Sequence, residues 1–155
     1  MSYLNVITLQ EAKNYLRVDS DLTDDDDMIT LMIEAALSSI EQETRHILYD
    51  REETYLFQDY CVRVYDFPIN SVTSPTDVES SLKPLYTLYE AQDSDDEILT
   101  LNVGYDDASN VPQVLKQYGL YLVELYYYDA KGGDKEPKLP MYIRKQVDQL
   151  KRFYA

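Results

Sequence analysis

Residues 7–18 of the chain read ITLQEAKNYLRV and contain the sequence signature of a helix start. Thr8 and Glu11 are three residues apart, so the Thr8 hydroxyl can accept a hydrogen bond from the Glu11 amide while the Glu11 side chain reaches back. The apolar residues that follow share one helical face: Leu9, Ala12, Tyr15 and Leu16. The stretch therefore predicts a short helix over about residues 8–18.

A run of acidic residues separates this stretch from the next apolar segment. Residues 19–27, DSDLTDDDD, hold six aspartates and invite comparison with a calcium-binding loop. An EF-hand requires glycine at its sixth position and glutamate at its twelfth, and neither stands there when counting begins at Asp19 or Asp21. Carboxylates also oppose the positive end of a helix dipole and serve as N-caps. The run favours a helix start, and a carboxylate metal or hydrolase site at Asp24–Asp27 is the weaker alternative.

The second predicted helix is the longest periodic segment and extends over about residues 24–48. Ser38, Glu41 and Gln42 form part of its polar face. His46 lies near its predicted C-terminal end, where positive charge is favourable. Its apolar residues recur at helical spacing: Ile29, Met32, Ile33, Ala36, Ile40 and Ile47.

Two more helices are predicted in the last third of the chain. One extends over about residues 111–131, with Pro112 in its first turn and Gly132-Gly133 after its end. Pro140 opens the other, over about residues 140–154. Their apolar stripes comprise Leu115, Tyr118, Gly119, Leu122, Leu125 and Tyr126 in the first, and Ile143, Val147, Leu150 and Tyr154 in the second.

The segment between the second and third helices is typical of β-structure. Residues 53–73 are rich in aromatic and β-branched types and predict one or two strands that end, or reach an edge, at Pro68. Residues 85–89 and 98–103 predict two more strands, separated by the turn-like residues 92–96. A small antiparallel sheet is therefore expected here.

These elements predict a mainly α fold of the α+β class. Four helices form a bundle, and a β-rich insertion over about residues 53–103 lies between helices two and three. A length of 155 residues and an apolar content of 45% suit a single domain over residues 1–155. The apolar runs are far shorter than the roughly 20 residues that span a bilayer, so no membrane partner is expected.

Net charge divides the chain into two unequal parts. Residues 131–155 hold seven basic and three acidic residues, a net charge of +4, whereas the whole chain carries −15. The first 130 residues therefore carry −19. A body with that charge repels phosphates, which argues against tight nucleic-acid binding.

Catalytic and cofactor sites lack the residues that they need. Cys61 and His46 are each the only residue of their type, which leaves no cysteine cluster, no two-histidine zinc site and no Ser–His–Asp triad with residues to spare. No phosphate-binding glycine loop or nucleophile elbow is present. Acidic pairs such as Asp106–Asp107 stand in turn-like stretches without an organising partner. We therefore expect no enzymatic activity and no cofactor.

Tyrosine is unusually frequent, with 16 tyrosines and no tryptophan. Tyr126, Tyr127 and Tyr128 cannot all face one core, because consecutive helical residues point about 100° apart. Tyrosine offers a large apolar area with a polar tip, which suits protein interfaces. The three tyrosines are candidates for a subunit interface, and a general compositional preference for tyrosine is the alternative explanation.

The order of these segments resembles the head–tail connector proteins of tailed bacteriophages, also called head-completion or adaptor proteins. That resemblance covers nearly the whole chain and is weakest over residues 74–110. The matching pieces are residues 7–18, the acidic gap, a long helix that closes with EQETR at 41–45, FPINSV at 67–72, and the last two helices, which begin near Val111-Pro112 and Leu139-Pro140.

What this resemblance implies is a structural role. Family members form a ring of about a dozen subunits under the capsid portal, as a connector-type bundle that extends the channel for double-stranded DNA without gripping it. The implied partners are the portal protein, tail or stopper proteins of the neck, and other copies of the chain. The implied location is the virion neck, after assembly in the host cytoplasm. An acidic channel wall would keep phosphates away.

The basic last helix is the candidate for docking on the portal, because family connectors tend to use their C-terminal region in this way. The residues proposed for that contact are Arg144, Lys145, Lys151, Arg152, Phe153 and Tyr154. The ordinary alternative is a helix whose charges are solvated. For the whole protein, the alternative function is a small acidic adaptor of a cell that acts through its tyrosines without catalysis.

Overall fold

The computed structural model describes residues 2–91, 98–132 and 138–151. The helices within these ranges are α1 (Tyr3–Val6), α2 (Leu9–Leu16), α3 (Asp26–Thr44), α4 (Gln113–Lys131) and α5 (Met141–Leu150). The strands are β1 (Arg51–Leu56), β2 (Cys61–Val64), β3 (Ile69–Ser74), β4 (Glu79–Leu82), β5 (Thr87–Glu90) and β6 (Ile98–Val103). The predicted turn at residues 92–96 lies outside the described residues.

The helix start predicted at Thr8 is present in α2. The Thr8 hydroxyl accepts from the Glu11 amide at 3.2 Å, and the Glu11 carboxylate accepts from the Thr8 amide at 2.7 Å. This reciprocal pair satisfies two amides that a helix start leaves without partners. The helix ends where Arg17 adopts a left-handed backbone with φ of 58°.

The prediction that the second helix continues to Leu48 is wrong, because α3 ends at Thr44. Arg45 adopts a left-handed conformation with φ of 62° and closes the helix with its amide on the Glu41 carbonyl. Ile47 continues the helical apolar spacing, but its amide donates to the Phe67 carbonyl at 2.8 Å and its side chain lies in the core of the sheets. The apolar residues up to Ile40 therefore lie in the core of the helices, whereas Ile47 lies in the core of the sheets.

His46 is consequently not a residue of the last helical turn. Its buried ring lies between the sheets and the end of α5, with Nε2 3.1 Å from the Leu150 carbonyl and Nδ1 2.8 Å from the Tyr105 hydroxyl. A carbonyl only accepts hydrogen bonds, so Nε2 carries a proton, and in the neutral ring Nδ1 accepts from Tyr105. The ring connects the helices to the sheets. Its position gives no support to the prediction that His46 interacts with the dipole of the second helix.

The strands form two antiparallel sheets of three strands, where a single small sheet was expected. One has the order β1–β6–β3 and the other the order β2–β5–β4. Residues 53–73 contribute three strands, not one or two, and β4 was not predicted. The chain pairs distant strands: β1 and β3 both lie against β6, which comes last.

The helices enclose the larger apolar core, in which α4 packs against α2, α3 and α5. Gly119 allows the close approach of α4 to its neighbours. A Cβ atom added there would lie 2.8 Å from the Ile7 Cδ1 and 3.0 Å from the Leu37 Cδ2. The side chains buried completely in this core include Ile29, Ile33, Ala36, Leu37, Ile40, Leu48, Leu115 and Val123.

A smaller apolar core lies between the side chains of the sheets. At the end of β6 the backbone passes very close to Tyr49. Gly104 has φ of 103°, and an added Cβ would lie 2.1 Å from the Tyr49 carbonyl oxygen. Only glycine tolerates that conformation and that approach. The buried members of this core are Ile47, Val64, Tyr89, Leu99, Leu101 and Val103.

The α+β class expected from sequence is confirmed in its broad form. The described residues contain five helices instead of four, and the finer description as a four-helix bundle is not confirmed. The helix predicted over 111–131 begins at Gln113, preceded by a 3-10 turn at Ala108–Asn110. Within the described residues α5 covers Met141–Leu150, whereas the prediction extended to residue 154.

Candidate interaction surfaces

A buried carboxylate joins the helices to the first sheet. The Glu41 side chain on α3 accepts from the Tyr3 hydroxyl at 2.7 Å and from the Leu48 amide at 2.7 Å. Both terminal nitrogens of Arg51, the first residue of β1, donate to it at 3.0 and 2.9 Å. We call Tyr3, Glu41, Leu48 and Arg51 the Glu41 cluster. Its bidentate pair fixes both direction and distance between α3 and β1.

The pKa values of Tyr3 and Arg51 are shifted in the direction that preserves the Glu41 cluster. Burial, followed by the hydrogen bond to Glu41, raises the pKa of Tyr3 to about 12. Burial alone would lower the pKa of Arg51, but its hydrogen bonds to Glu41 and Glu53 raise it above its ordinary value. Both groups therefore keep their protons over the physiological range. The groups of the cluster hydrogen-bond to one another. The cluster therefore has a structural role and connects α3 to β1.

The aspartates at the start of α3 make contacts to other helices. Asp26 lies 2.7 Å from the Lys13 ammonium on α2, and that ammonium also donates to the Leu22 carbonyl. Asp25 accepts from Lys131 and Tyr127 on α4, each at 2.8 Å. Asp25 stands at the N-cap position, but its side chain makes no capping bond.

These contacts lower the pKa of one aspartate. The hydrogen bond from Lys131, followed by that from Tyr127, holds the pKa of Asp25 below its ordinary value. Among the described residues no group of three or more histidine, cysteine or acidic side chains is arranged to hold a metal ion. Asp25 and Asp26 therefore join α3 to α4 and α2, and Asp26 and Asp27 are first-turn acids of α3.

The structure separates the three tyrosines predicted to form an interface. Tyr126 and Tyr127 are half-buried and pack against the helical core. Tyr128 is 40% exposed, so its ring is the most accessible of the three. The consecutive rings point in different directions, as the helical geometry requires.

Tyr128 belongs to a wider aromatic surface formed by three helices. It lines a cavity of about 540 Å³ together with Tyr15, Leu16 and Arg17 of the α2 end. Burial, followed by the charge of Glu124 on α4 and then other neighbours including Tyr142 on α5, raises the pKa of Tyr15. We call the exposed side chains Tyr15, Tyr128, Met141 and Tyr142 the aromatic face.

The predicted portal-docking residues have different surroundings. Lys151 is bound within the chain, 2.6 Å from Glu43 on α3 and 2.6 Å from Asp148. Arg144 is exposed beside that ion pair, and Lys145 is exposed on α5. Arg152, Phe153 and Tyr154 lie outside the described residues.

The end of the first sheet carries a further apolar surface. Leu56 and Ile98 are cross-strand partners of β1 and β6, and both are more than half exposed. Leu56 also lines a cavity of about 450 Å³ with Asp59, Cys61 and Arg63. The described surface therefore has apolar patches on the helices and on the sheet.

A known protein family matches most of the chain. The family model described as "Phage gp6-like head-tail connector protein" matches residues 6–138. The chain belongs to this family. The resemblance drawn from the order of sequence segments is thereby confirmed, and residues 74–110, the least similar part, lie within the match.

Solved structures similar to this connector come from gene transfer agent (GTA) particles. A chain from the virion of a native GTA particle has a TM-score of 0.73 at 15% identity and covers 100% of the connector and 94% of that chain. Chains from necks of GTA particles match similarly. One, from an empty particle with C6 symmetry, has a TM-score of 0.73 at 16% identity, and one, from a native particle with C12 symmetry, has 0.67 at 13%. Each covers 97% of the connector and 91% of its own length.

At these identities the solved structures establish the fold alone. No curated protein matches the connector sequence. Within the described residues, no helix combines the length and the apolar character that crossing a membrane requires.

Sequence reasoning missed most of the aromatic face of the connector. Tyr15 was assigned to the apolar side of the first predicted helix, yet it is 44% exposed. Met141 and Tyr142 precede the buried Ile143 and received no role. The sequence does contain a signal for these residues. Large apolar residues that lie beside the buried stripe of a helix, but outside it, indicate a second contact surface.

Proposed function

We propose that the connector is a structural virion protein, whose copies form a ring that joins the capsid portal to the tail and extends the DNA channel. The observation that carries this proposal is the family match over residues 6–138. The shared fold with neck proteins of GTA particles supports it over nearly the full length. In this role the protein needs no catalytic residue and no cofactor.

The ring is held by heterologous contacts, in which one surface of a subunit binds a different surface of its neighbour. Tyr128, with the rest of the aromatic face, is our candidate for one of these surfaces. Exposed aromatic side chains suit it, because burying them contributes much of the energy of protein interfaces. Tyr126 and Tyr127 support that surface from the core.

Charge suits the passage of DNA without specific binding. The first 130 residues carry −19, so a channel lined by their surface repels phosphates at the distances that cellular salt allows. The remaining partners are the portal protein and tail or stopper proteins of the neck. The protein would assemble in the host cytoplasm and remain in the virion neck.

The C-terminal region is our candidate for docking on the portal. Lys151 is held by Glu43 and Asp148, and the Leu150 carbonyl by His46, so the end of α5 has a defined position. Arg144 lies beside this end and is exposed. Arg144 and residues 152–154 are therefore our first choice for the portal contact.

The test is co-assembly with the portal ring encoded by the same genome, weighed by native mass spectrometry. We expect a discrete complex with one connector per portal subunit, and we expect it to be lost when residues 152–155 are removed. A complex that is indifferent to this truncation would contradict the docking segment alone. A connector that stays monomeric in every mixture would contradict the proposed function and favour the cellular adaptor.

A further inference from the structure

The outer side of α5 combines apolar and basic side chains. Met141 is 72% and Tyr142 58% exposed, whereas Ile143 and Val147 on the inner side are buried. Lys138 and Lys145 are exposed on this segment, and neither has an ion-pair partner among the described residues. Two large apolar side chains beside two such lysines form a surface that suits an apolar, acidic partner.

The outer side of α3 has the opposite charge with the same apolar character. Leu31 is 65% exposed, and Asp27 and Glu34 stand one turn before it and one turn after it on the same face. Leu22, in the loop that leads to α3, is 59% exposed. Neither acid has an ion-pair partner within the described ranges. We call Asp27, Leu31 and Glu34 the leucine face.

The two outer sides belong to different helices, α3 and α5, which both pack against α4 and also contact each other directly. The C-terminal ends of α3 and α5 are joined by the Lys151–Glu43 ion pair. The leucine face lies at the other end of α3, near the contact of Asp25 with Lys131. One subunit thus presents two surfaces of complementary charge on different helices, as a closed ring of heterologous contacts requires.

We infer that the leucine face of one copy binds the outer side of α5 of the next copy, around Met141, Tyr142 and Lys145. This inference rests on the proposed ring. It assigns Lys145 to a neighbouring copy, although the sequence suggested the portal for that residue. Leu31 then packs against Tyr142, and Asp27 or Glu34 lies within reach of Lys145. Tyr15 and Tyr128 extend the same contact from the aromatic face.

Site-directed cross-linking in the assembled complex tests this contact. Cys61→Ser is the background, since it removes the natural thiol. Leu31→Cys and Tyr142→Cys are introduced together, the complex with the portal ring is formed, and copper phenanthroline under dioxygen oxidises neighbouring thiols. We expect a ladder of covalent dimers, trimers and longer chains on denaturing gels. Each single cysteine variant should give no ladder, because the contact joins different surfaces.

A matched control uses a leucine far from both surfaces. Leu82 on β4 is 79% exposed, so Leu31→Cys with Leu82→Cys offers equally accessible thiols. This pair should give no ladder. A complex that forms without a Leu31–Tyr142 ladder, or with an equal ladder in the control, would overturn the inference and leave the proposed function intact. Failure of the parent protein to assemble at all would overturn both.

Charge exchange gives a second, independent readout. Lys145→Glu brings like charges together and should lower occupancy of the portal ring on the order of tenfold at limiting protein concentration. Asp27→Lys in the same chain should restore much of the occupancy. Lys83→Glu, an exposed lysine after β4, makes the same change of charge and should have no effect. Equal behaviour of the Lys145 and Lys83 variants would contradict the contact.

Discussion

The helices and the sheets of this connector are stabilised in different ways. Among the described residues, fourteen buried apolar side chains form the helical core and six form the core of the sheets. The helices therefore rest mainly on apolar burial. The sheets have a smaller core, and specific contacts tie them to the helices.

These ties are few and well defined. The Glu41 cluster holds the start of β1, the Ile47 amide holds the Phe67 carbonyl, and His46 joins Tyr105 to the end of α5. The glycine at 104 allows the chain to pass Tyr49 where β6 ends. The position of the sheets therefore depends on a handful of residues, whereas the stability of the helical core is spread over many buried side chains.

Gly104→Ala should have the largest effect. The new Cβ would meet the Tyr49 carbonyl oxygen, and φ of 103° is strained for any residue except glycine. We expect a loss of at least about 3 kcal/mol in the free energy of unfolding, measured by urea denaturation.

Gly132→Ala is the control for Gly104→Ala. Gly132 also has positive φ, 66°, but no atom of the described residues lies within 4 Å of an added Cβ. Its substitution should cost about 1 kcal/mol, from backbone strain alone. Equal losses of unfolding free energy in the two variants would mean that the Tyr49 carbonyl does not obstruct a side chain at position 104.

Glu41→Gln should come next, because it removes the charge that pairs with Arg51 and leaves the shape nearly unchanged. We expect a loss of about 2–3 kcal/mol, since the partly buried guanidinium loses its bidentate carboxylate and keeps its contact with Glu53. Hydrogen exchange should accelerate in β1 and remain slow in α4. Glu43→Gln, which breaks exposed contacts to Lys151 and Tyr118, should cost less than about 1 kcal/mol. Uniform acceleration in helices and sheets would contradict the comparison.

Tyr3→Phe should have a smaller effect that depends on pH. Loss of the hydrogen bond to Glu41 should cost about 1 kcal/mol at pH 7. Because folding raises the pKa of Tyr3 from 10.0 to about 12, its contribution is complete below pH 10 and is lost as pH rises towards 12. The difference between the two proteins in denaturation experiments should therefore shrink between pH 10 and 12. A constant difference would place the Tyr3 phenol outside the cluster.

Asp25→Asn should have the smallest effect, since its partners Lys131 and Tyr127 lie near the surface. The pKa of Asp25 is lowered in the folded state, so its contribution exists above the ordinary value of 3.8 and disappears as pH falls further. The melting temperature of the variant should be slightly lower at pH 7 and equal to that of the parent at pH 2. A deficit that persists at pH 2 would indicate packing, not charge.

Helices could be predicted from the sequence because their signals are local. The pairing of Thr8 with Glu11, the spacing of Ile29, Ile33 and Ile40, and Gly132 after α4 each act within a few residues. The error at Leu48 has the same origin: periodicity reports that a residue is apolar, and it does not report which core receives it.

Sheet topology could not be predicted in the same way. Pairing of Arg51 with Val103 joins residues far apart in the chain, and no local pattern specifies that partner. Strand β4, with the sequence ESSL, lacks an apolar alternation that would reveal it. Two sheets instead of one follow from this long-range pairing.

The sequence predicted the family, whereas the interface and docking residues stay predictions. Tyr128 is exposed. Lys151 carried the same sequence signal as Lys145, yet it is bound to Glu43 and Asp148 while Lys145 is exposed. Charge in a sequence does not reveal which partner within the fold has already neutralised it.

Electron cryomicroscopy of the connector assembled on its portal ring tests the central claim most directly. We predict a closed ring coaxial with the portal, with the C-terminal end of α5 facing the portal and an acidic wall around the channel. Separate connector chains bound at scattered sites, or no density beyond the portal itself, would contradict the connector function.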